Sequence, residues 1–166
     1  MKTDQCFFCK LRDDDKNGQL FYNESFISHL SDGPINPGHI ELFTIRHISS
    51  ILELNEIEQK QLIPSLNQTI ELLKAFDFLK FYTNVYKTTQ KDLAKTYSEK
   101  MLKLKFISNN PTGFNYGINQ GISAGQTVMH LHIHIIPRFD GDTTDPTGGV
   151  RNFLNDLGNY KKYIKV

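Results

Sequence analysis

Only two of the 166 residues are cysteine, so this chain has no disulfide framework to hold it together. Neither sign of charge dominates: 19 lysines and arginines stand against 18 aspartates and glutamates, a formal net charge of +1. That balance argues against a nucleic-acid coat and against a polybasic membrane anchor. No apolar run approaches the ~20 residues of a membrane span. The first ten residues, MKTDQCFFCK, contain nothing like the apolar core of a signal peptide. No internal repeat or low-complexity tract is visible, and at 39% hydrophobic residues the chain is too apolar for disorder. The expectation is one cytoplasmic globular domain over 1–166, a length that buries roughly 70% of the unfolded surface without staples. The two cysteines are spaced Cys6-Phe7-Phe8-Cys9. In a reducing compartment that spacing points to metal or redox chemistry.

Local pattern outlines the elements. Arg12 to Gln19 reads as a loop, and Leu20–Tyr22 with Phe26–Leu30 as a hairpin turning at Asn23-Glu24-Ser25. Ser31 to Gly38, with two prolines and two glycines, is a loop, and His39 to Ile45 is the next strand. Asn55, with Glu58 three residues on, caps a helix whose apolar stripe is Leu62, Leu66, Ile70 and Leu73. Pro64 inside that stripe should kink the helix or delay its start. A second helix is expected from about Thr89 to Leu104. Residues 80–105 hold seven lysines against Asp92 and Glu99, which reads as a solvated helix face. Phe114–Asn119 and Thr127–Ile136 read as strands, and the loop from Asp140 to Gly149 leads into a short final segment. Strands on both sides of the helices indicate an α+β class with a mainly antiparallel sheet.

The chemistry concentrates in His130-Leu131-His132-Ile133-His134. Alternation along a strand puts the three imidazoles on one face and the aliphatic residues on the other. Such a row is neither good core nor ordinary surface, and metal binding competes with catalysis as its explanation. Immediately upstream, Asn119, Gly121, Gly125, Gln126 and Thr127 form a glycine-rich loop whose backbone N–H groups can surround an anion. A phosphate site beside a histidine row suggests a histidine that attacks phosphorus.

The run from Asn119 to His134 resembles the signature of the histidine triad (HIT) family of nucleotide hydrolases and transferases. The likeness extends to Pro37-Gly38-His39, Arg46-His47, Pro137-Arg138 and Gly141-Asp142. It covers most of residues 6–76 and 111–150, leaving 78–105 as a helical insertion. The resemblance implies a HIT fold with the triad on one strand face. It implies His132 as the nucleophile at an α-phosphorus, with its Nδ1–H held by a backbone carbonyl near the first histidine. His134 and His39 would stabilise charge or move protons, and Asn119, Gln126 and Thr127 would hold phosphate oxygens. The ribose position falls at Ser31 or Asp32. Zinc-containing members pair such cysteines with two histidines, here Cys6, Cys9, His47 and His130. A thioredoxin-like redox pair and two plain structural cysteines are the alternatives.

The implied substrate is a dinucleoside polyphosphate, with magnesium as its companion ion and a homodimer as the assembly. A nucleoside phosphoramidase, a phosphorylase of the same family, a non-catalytic nucleotide-binding protein and a metal-storage module are the competing readings. Three residues depart from the pattern. Glu41 stands on the same strand face as His39, where an apolar residue is usual, and reads as an exposed edge residue, with an altered base pocket as the other option. Thr44 replaces a frequent proline, and His29 reads as a surface or rim residue.

Overall fold

The structure is a computed structural model that describes residues 5–14 and 18–151. The expected final segment to Val166 lies outside the described residues. The elements are α1 (Phe7–Asp14), β1 (Gln19–Tyr22), β2 (Phe26–Leu30), β3 (Ile40–Thr44), α2 (Glu56–Lys74), α3 (Phe78–Thr88), α4 (Asp92–Leu102), β4 (Gly113–Gly117) and β5 (His132–Arg138). Short 3-10 turns lie at Ile51–Glu53, Ile122–Ala124 and Gly149–Arg151. The five strands form one antiparallel sheet in the order β1-β2-β3-β5-β4. The α+β expectation stands.

Register divides the sheet into two faces. Leu30, Ile40 and Ile135 align across β2, β3 and β5, as do Ser28, Leu42 and Ile133. Their aliphatic members belong to the main core together with Leu73, Phe78, Tyr82 and Met101 from the three central helices. On the other face one row runs Ile27, Phe43, His132 and the next runs His29, Glu41, His134, Gly117. A smaller cluster covers the first of these rows, with Phe8, Cys6, Cys9 and Leu11 of the α1 region packed on Ile27 and Phe43. Among the described residues no helix is long and apolar enough to cross a membrane.

Several local expectations change. The expected loop at Arg12 begins inside α1, whose Arg12 guanidinium donates to the Ile45 carbonyl at 2.8 Å and ties the helix to the end of β3. Helix α2 starts at Glu56 and continues through Pro64, so the proline does not delay it. The Asn55–Glu58 capping box forms as expected. The expected helix from Thr89 is α4, and a second helix, α3, precedes it. Asp77 caps α3 by accepting from the Lys80 N–H at 2.8 Å. Strand β5 begins at His132, not Thr127, because residues 128–130 bend away from the sheet.

Candidate functional site

His132 and His134 are alternate residues of β5 and share a face, with ring centroids 4.9 Å apart. His39 lies one residue before β3, and its Nε2 sits 3.0 Å from Nδ1 of His134, a bond in which one imidazole donates to the other. Gly38 holds a positive φ of 76° that suits glycine. A side chain there would collide with the Phe78 ring of α3. Its N–H donates to the Tyr82 hydroxyl at 3.2 Å, so α3 fixes the turn that delivers His39. Burial pushes the Tyr82 phenol up to about 12, and it remains a neutral partner for that backbone group.

The tautomer of His132 is set locally. Its Nδ1–H donates to the His130 carbonyl at 2.8 Å, which leaves Nε2 unprotonated. Phe8 lies against the ring at a centroid distance of 4.7 Å. Burial lowers the pKa of both His132 and His134. It lowers His39 to about 4, with the neighbouring imidazoles adding to the effect. All three rings are therefore neutral near pH 7. Beside them lies a cavity of about 440 Å³ lined by His134, Asn119, Asn36, Asn115, Arg138 and Asp142, among others. The Arg138–Asp142 ion pair stiffens its wall, and the guanidinium beside Asp142 holds that carboxyl down at about 2.

The glycine-rich loop is built differently from the expectation. Gln126 is buried, and both ends of its amide are engaged: Oε1 accepts from the Gly121 N–H at 2.8 Å and Nε2 donates to the Ser49 carbonyl at 2.9 Å. Through these two bonds it latches the loop to the chain after β3. Asn119 lines the cavity beside His134 and donates to the Gly125 carbonyl at 3.4 Å. Thr127 is exposed.

Ser31 and Asp32 both line a second cavity, between the 31–34 loop and the α3–α4 pair, and Asp32 is exposed. Ser31 turns inward and donates its hydroxyl to Glu41 Oε1 at 2.9 Å. Glu41 is not an exposed edge residue. It is half-buried in a central strand, between His29 and His134. Burial raises its pKa, and the Ser31 hydroxyl draws it back. His29 is not a surface residue either, being only 4% exposed, with Nδ1 2.7 Å from the Leu30 carbonyl.

Cys6, Cys9, His47 and His130 converge from α1, the end of β3 and the bend before β5. Their ligand atoms all lie within 4.8 Å of one another, so the set can hold a metal ion. His130 Nε2 faces the Thr44 carbonyl at 2.7 Å and Oγ1 at 3.2 Å, which aims Nδ1 at the two sulfurs. Sequence reasoning noted Thr44 only as a departure, placed Glu41 on the His39 face but read it as exposed, and missed Phe8 as a neighbour of the histidines. The alternation that put Glu41 on the His39 face was the available signal.

A model of the HIT domain matches residues 14–141. The chain belongs to the HIT family. Among its HIT relatives, the AP-4-A phosphorylase of Mycobacterium tuberculosis is 28% identical over 129 residues, covering 77% of this chain and 46% of that protein. The asymmetrical bis(5'-nucleosyl)-tetraphosphatase of Schizosaccharomyces pombe is 28% identical over 128 residues, covering 76% of this chain and 53% of that protein. The chain thus spans about half the length of these two relatives. An uncharacterised HIT-like protein of Methanocaldococcus jannaschii is 28% identical over 162 residues, 96% of this chain and 98% of its own length. In three dimensions the HIT fold is shared with a family member from Bacillus anthracis at a TM-score of 0.58 and 24% identity, covering 82% of this chain and 74% of that one. It is also shared with a zinc-bound histidine triad protein from Mycobacterium smegmatis at 0.55 and 21%, covering 86% and 81%.

Proposed function

We propose that this HIT protein is a nucleotide-acting enzyme that cleaves dinucleoside polyphosphates at the α-phosphorus, with His132 as nucleophile. The observation that carries this reading is the 2.8 Å hydrogen bond from His132 Nδ1 to the His130 carbonyl. It places the lone pair on Nε2 of a buried, neutral imidazole, which is the form a phosphorus nucleophile requires. Attack forms an Nε2–P bond as the bond from phosphorus to the bridging oxygen breaks, and the leaving polyphosphate takes the electron pair. Water then attacks phosphorus, the N–P bond breaks, and the nucleoside monophosphate leaves. In this reading the hydrogen-bonded His39–His134 pair, next to His132, passes a proton to the leaving group and takes one from the water. The relatives named as a phosphorylase and a tetraphosphatase of dinucleoside tetraphosphates support the substrate class.

We further propose that Cys6, Cys9, His47 and His130 hold a structural zinc. Three of their sulfur-to-nitrogen distances are 3.3, 3.4 and 3.6 Å. A tetrahedral ion with Zn–S of ~2.3 Å and Zn–N of ~2.0 Å separates such atoms by roughly 3.5 Å. Burial pushes the Cys9 thiol up to about 11, and a bound cation would reverse that by stabilising the thiolate. The ion would anchor the residue whose carbonyl orients His132.

The test is product analysis with diadenosine triphosphate, diadenosine tetraphosphate and adenosine phosphoramidate, each with and without inorganic phosphate. Wild type should release AMP from the dinucleotides, and His132→Ala should fall at least about 10³-fold. ADP formed only in the presence of phosphate would make the enzyme a phosphorylase. AMP released from the phosphoramidate alone would move the substrate class. No product from any substrate would end the catalytic reading.

A further inference from the structure

Glu41 is a carboxylate with one occupied oxygen beside the histidine pair. Oε1 accepts the Ser31 hydroxyl at 2.9 Å, and no donor among the described residues reaches Oε2. Ser31 is itself held in place, because its oxygen accepts the Gly33 N–H at 3.3 Å. The serine hydroxyl proton is therefore spent on the carboxylate, and the loop fixes the carboxylate's direction. Glu41 is the direct cross-strand neighbour of His134 in the register of β3 and β5. Neighbouring strands lie about 4.8 Å apart, so the carboxylate stands roughly one strand spacing from the phosphate-facing imidazoles.

In a 5'-nucleotide the sugar is the group next to the α-phosphate. A carboxylate only accepts hydrogen bonds, and its second oxygen here calls for a donor. The vicinal 2'- and 3'-hydroxyls of ribose are two such donors at the right remove from phosphorus. We propose that Glu41, steadied by Ser31, is the residue that recognises the ribose diol, and that it makes the site selective for ribonucleotides. Ser31 spends its hydroxyl proton on steadying Glu41, and both Ser31 and the exposed Asp32 line the other cavity. This inference rests on the nucleotide reading above, and it does not depend on catalytic turnover.

The test is calorimetric binding of AMP, 2'-deoxy-AMP and 2',3'-dideoxy-AMP to wild type, Glu41→Gln and Glu41→Leu, with GMP and 2'-deoxy-GMP as a second base. Wild type should prefer each ribonucleotide over its 2'-deoxy form by about 10-fold or more, as expected for a hydroxyl bonded to a charged acceptor. Glu41→Leu should bind ribo and deoxy forms equally, with Glu41→Gln in between. The double variant Ser31→Asp with Glu41→Leu, which returns a carboxylate from the loop just after β2, should recover the preference. An unchanged ribo-to-deoxy ratio in Glu41→Leu overturns the proposal. So does a Glu41 effect confined to the guanine nucleotides, which would place the carboxylate on the base. AMP binding without any turnover of dinucleotides would sink the enzyme reading and leave this one standing. Absence of AMP binding at millimolar concentration would sink this proposal, while the enzyme reading stands or falls by the dinucleotide products.

Discussion

His39 has the clearest titration consequence on the histidine face. Burial, with help from His134 and His132, lowers its pKa from the ordinary 6.5 to about 4 in the folded protein. The unfolded chain binds a proton below about pH 6.5 that the folded chain refuses. The stability tied to His39 is therefore full above 6.5 and is lost progressively as the pH falls to 4, by about 3 kcal/mol. Urea unfolding of wild type and His39→Gln across pH 8 to 4 should show a shallower loss in the variant. Equal slopes would refute it. At this scale the sequence was half legible. Alternation told correctly that His132 and His134 share a face and that Glu41 lies on the side of His39. It could not tell that His29 and Glu41 are covered. Coverage depends on which strands flank β3 and on the chain at Gly18 and Ser31 closing against His29 and Glu41, neither of which is local information.

Among the elements, α2 was the most legible, because its start is written in side-chain chemistry. Asn55 accepts the Glu58 N–H at 2.9 Å, and the Glu58 carboxylate accepts the Asn55 N–H at 2.8 Å. The same carboxylate takes a two-point bond from Arg46, which joins the helix start to the segment carrying His47. Asn55→Ala should cost about 1 kcal/mol, read as a shift of the urea midpoint at unchanged slope. Helix α1 escaped notice because eight residues are too few for periodicity to speak. Helix α3 was foreseen only as part of a helical insertion over 78–105 and not as a separate helix, because its aromatic and β-branched residues carry weak helical preference; Asp77 caps its start. The bend at 128–130 was equally hidden, since Thr127 to His130 continues an acceptable strand pattern. That bend is what lets His130 leave the sheet and join the cysteines.

At the scale of the whole molecule, the Cys6–Cys9–His47–His130 cluster links the N-terminal region to the histidine face. His130 contributes Nδ1 to the cluster and its carbonyl to His132. Metal analysis of the purified protein is expected to find one zinc per chain. Chelation, or Cys6→Ser, should lower the thermal midpoint by about 10 °C, since several kcal/mol of metal binding are lost from the folded state. Turnover should fall as well, because the His130 carbonyl that holds the Nδ1 proton of His132 loses its anchor. A metal-free protein with unchanged midpoint and rate would rule out the structural role. The sequence by itself determined what depends on near neighbours: the helix cap, the hairpin, the glycine loop and the alternating histidines with their C-x-x-C companion. Only the tertiary structure decided which of those groups are spoken for. Gln126 became a latch, Ser31 a donor to Glu41, and Thr44 the guide of His130, each through a partner 10 to 86 residues away. Hydrogen-bond partnership and burial are set by strand order and packing, and a linear pattern fixes only the direction in which each side chain starts out.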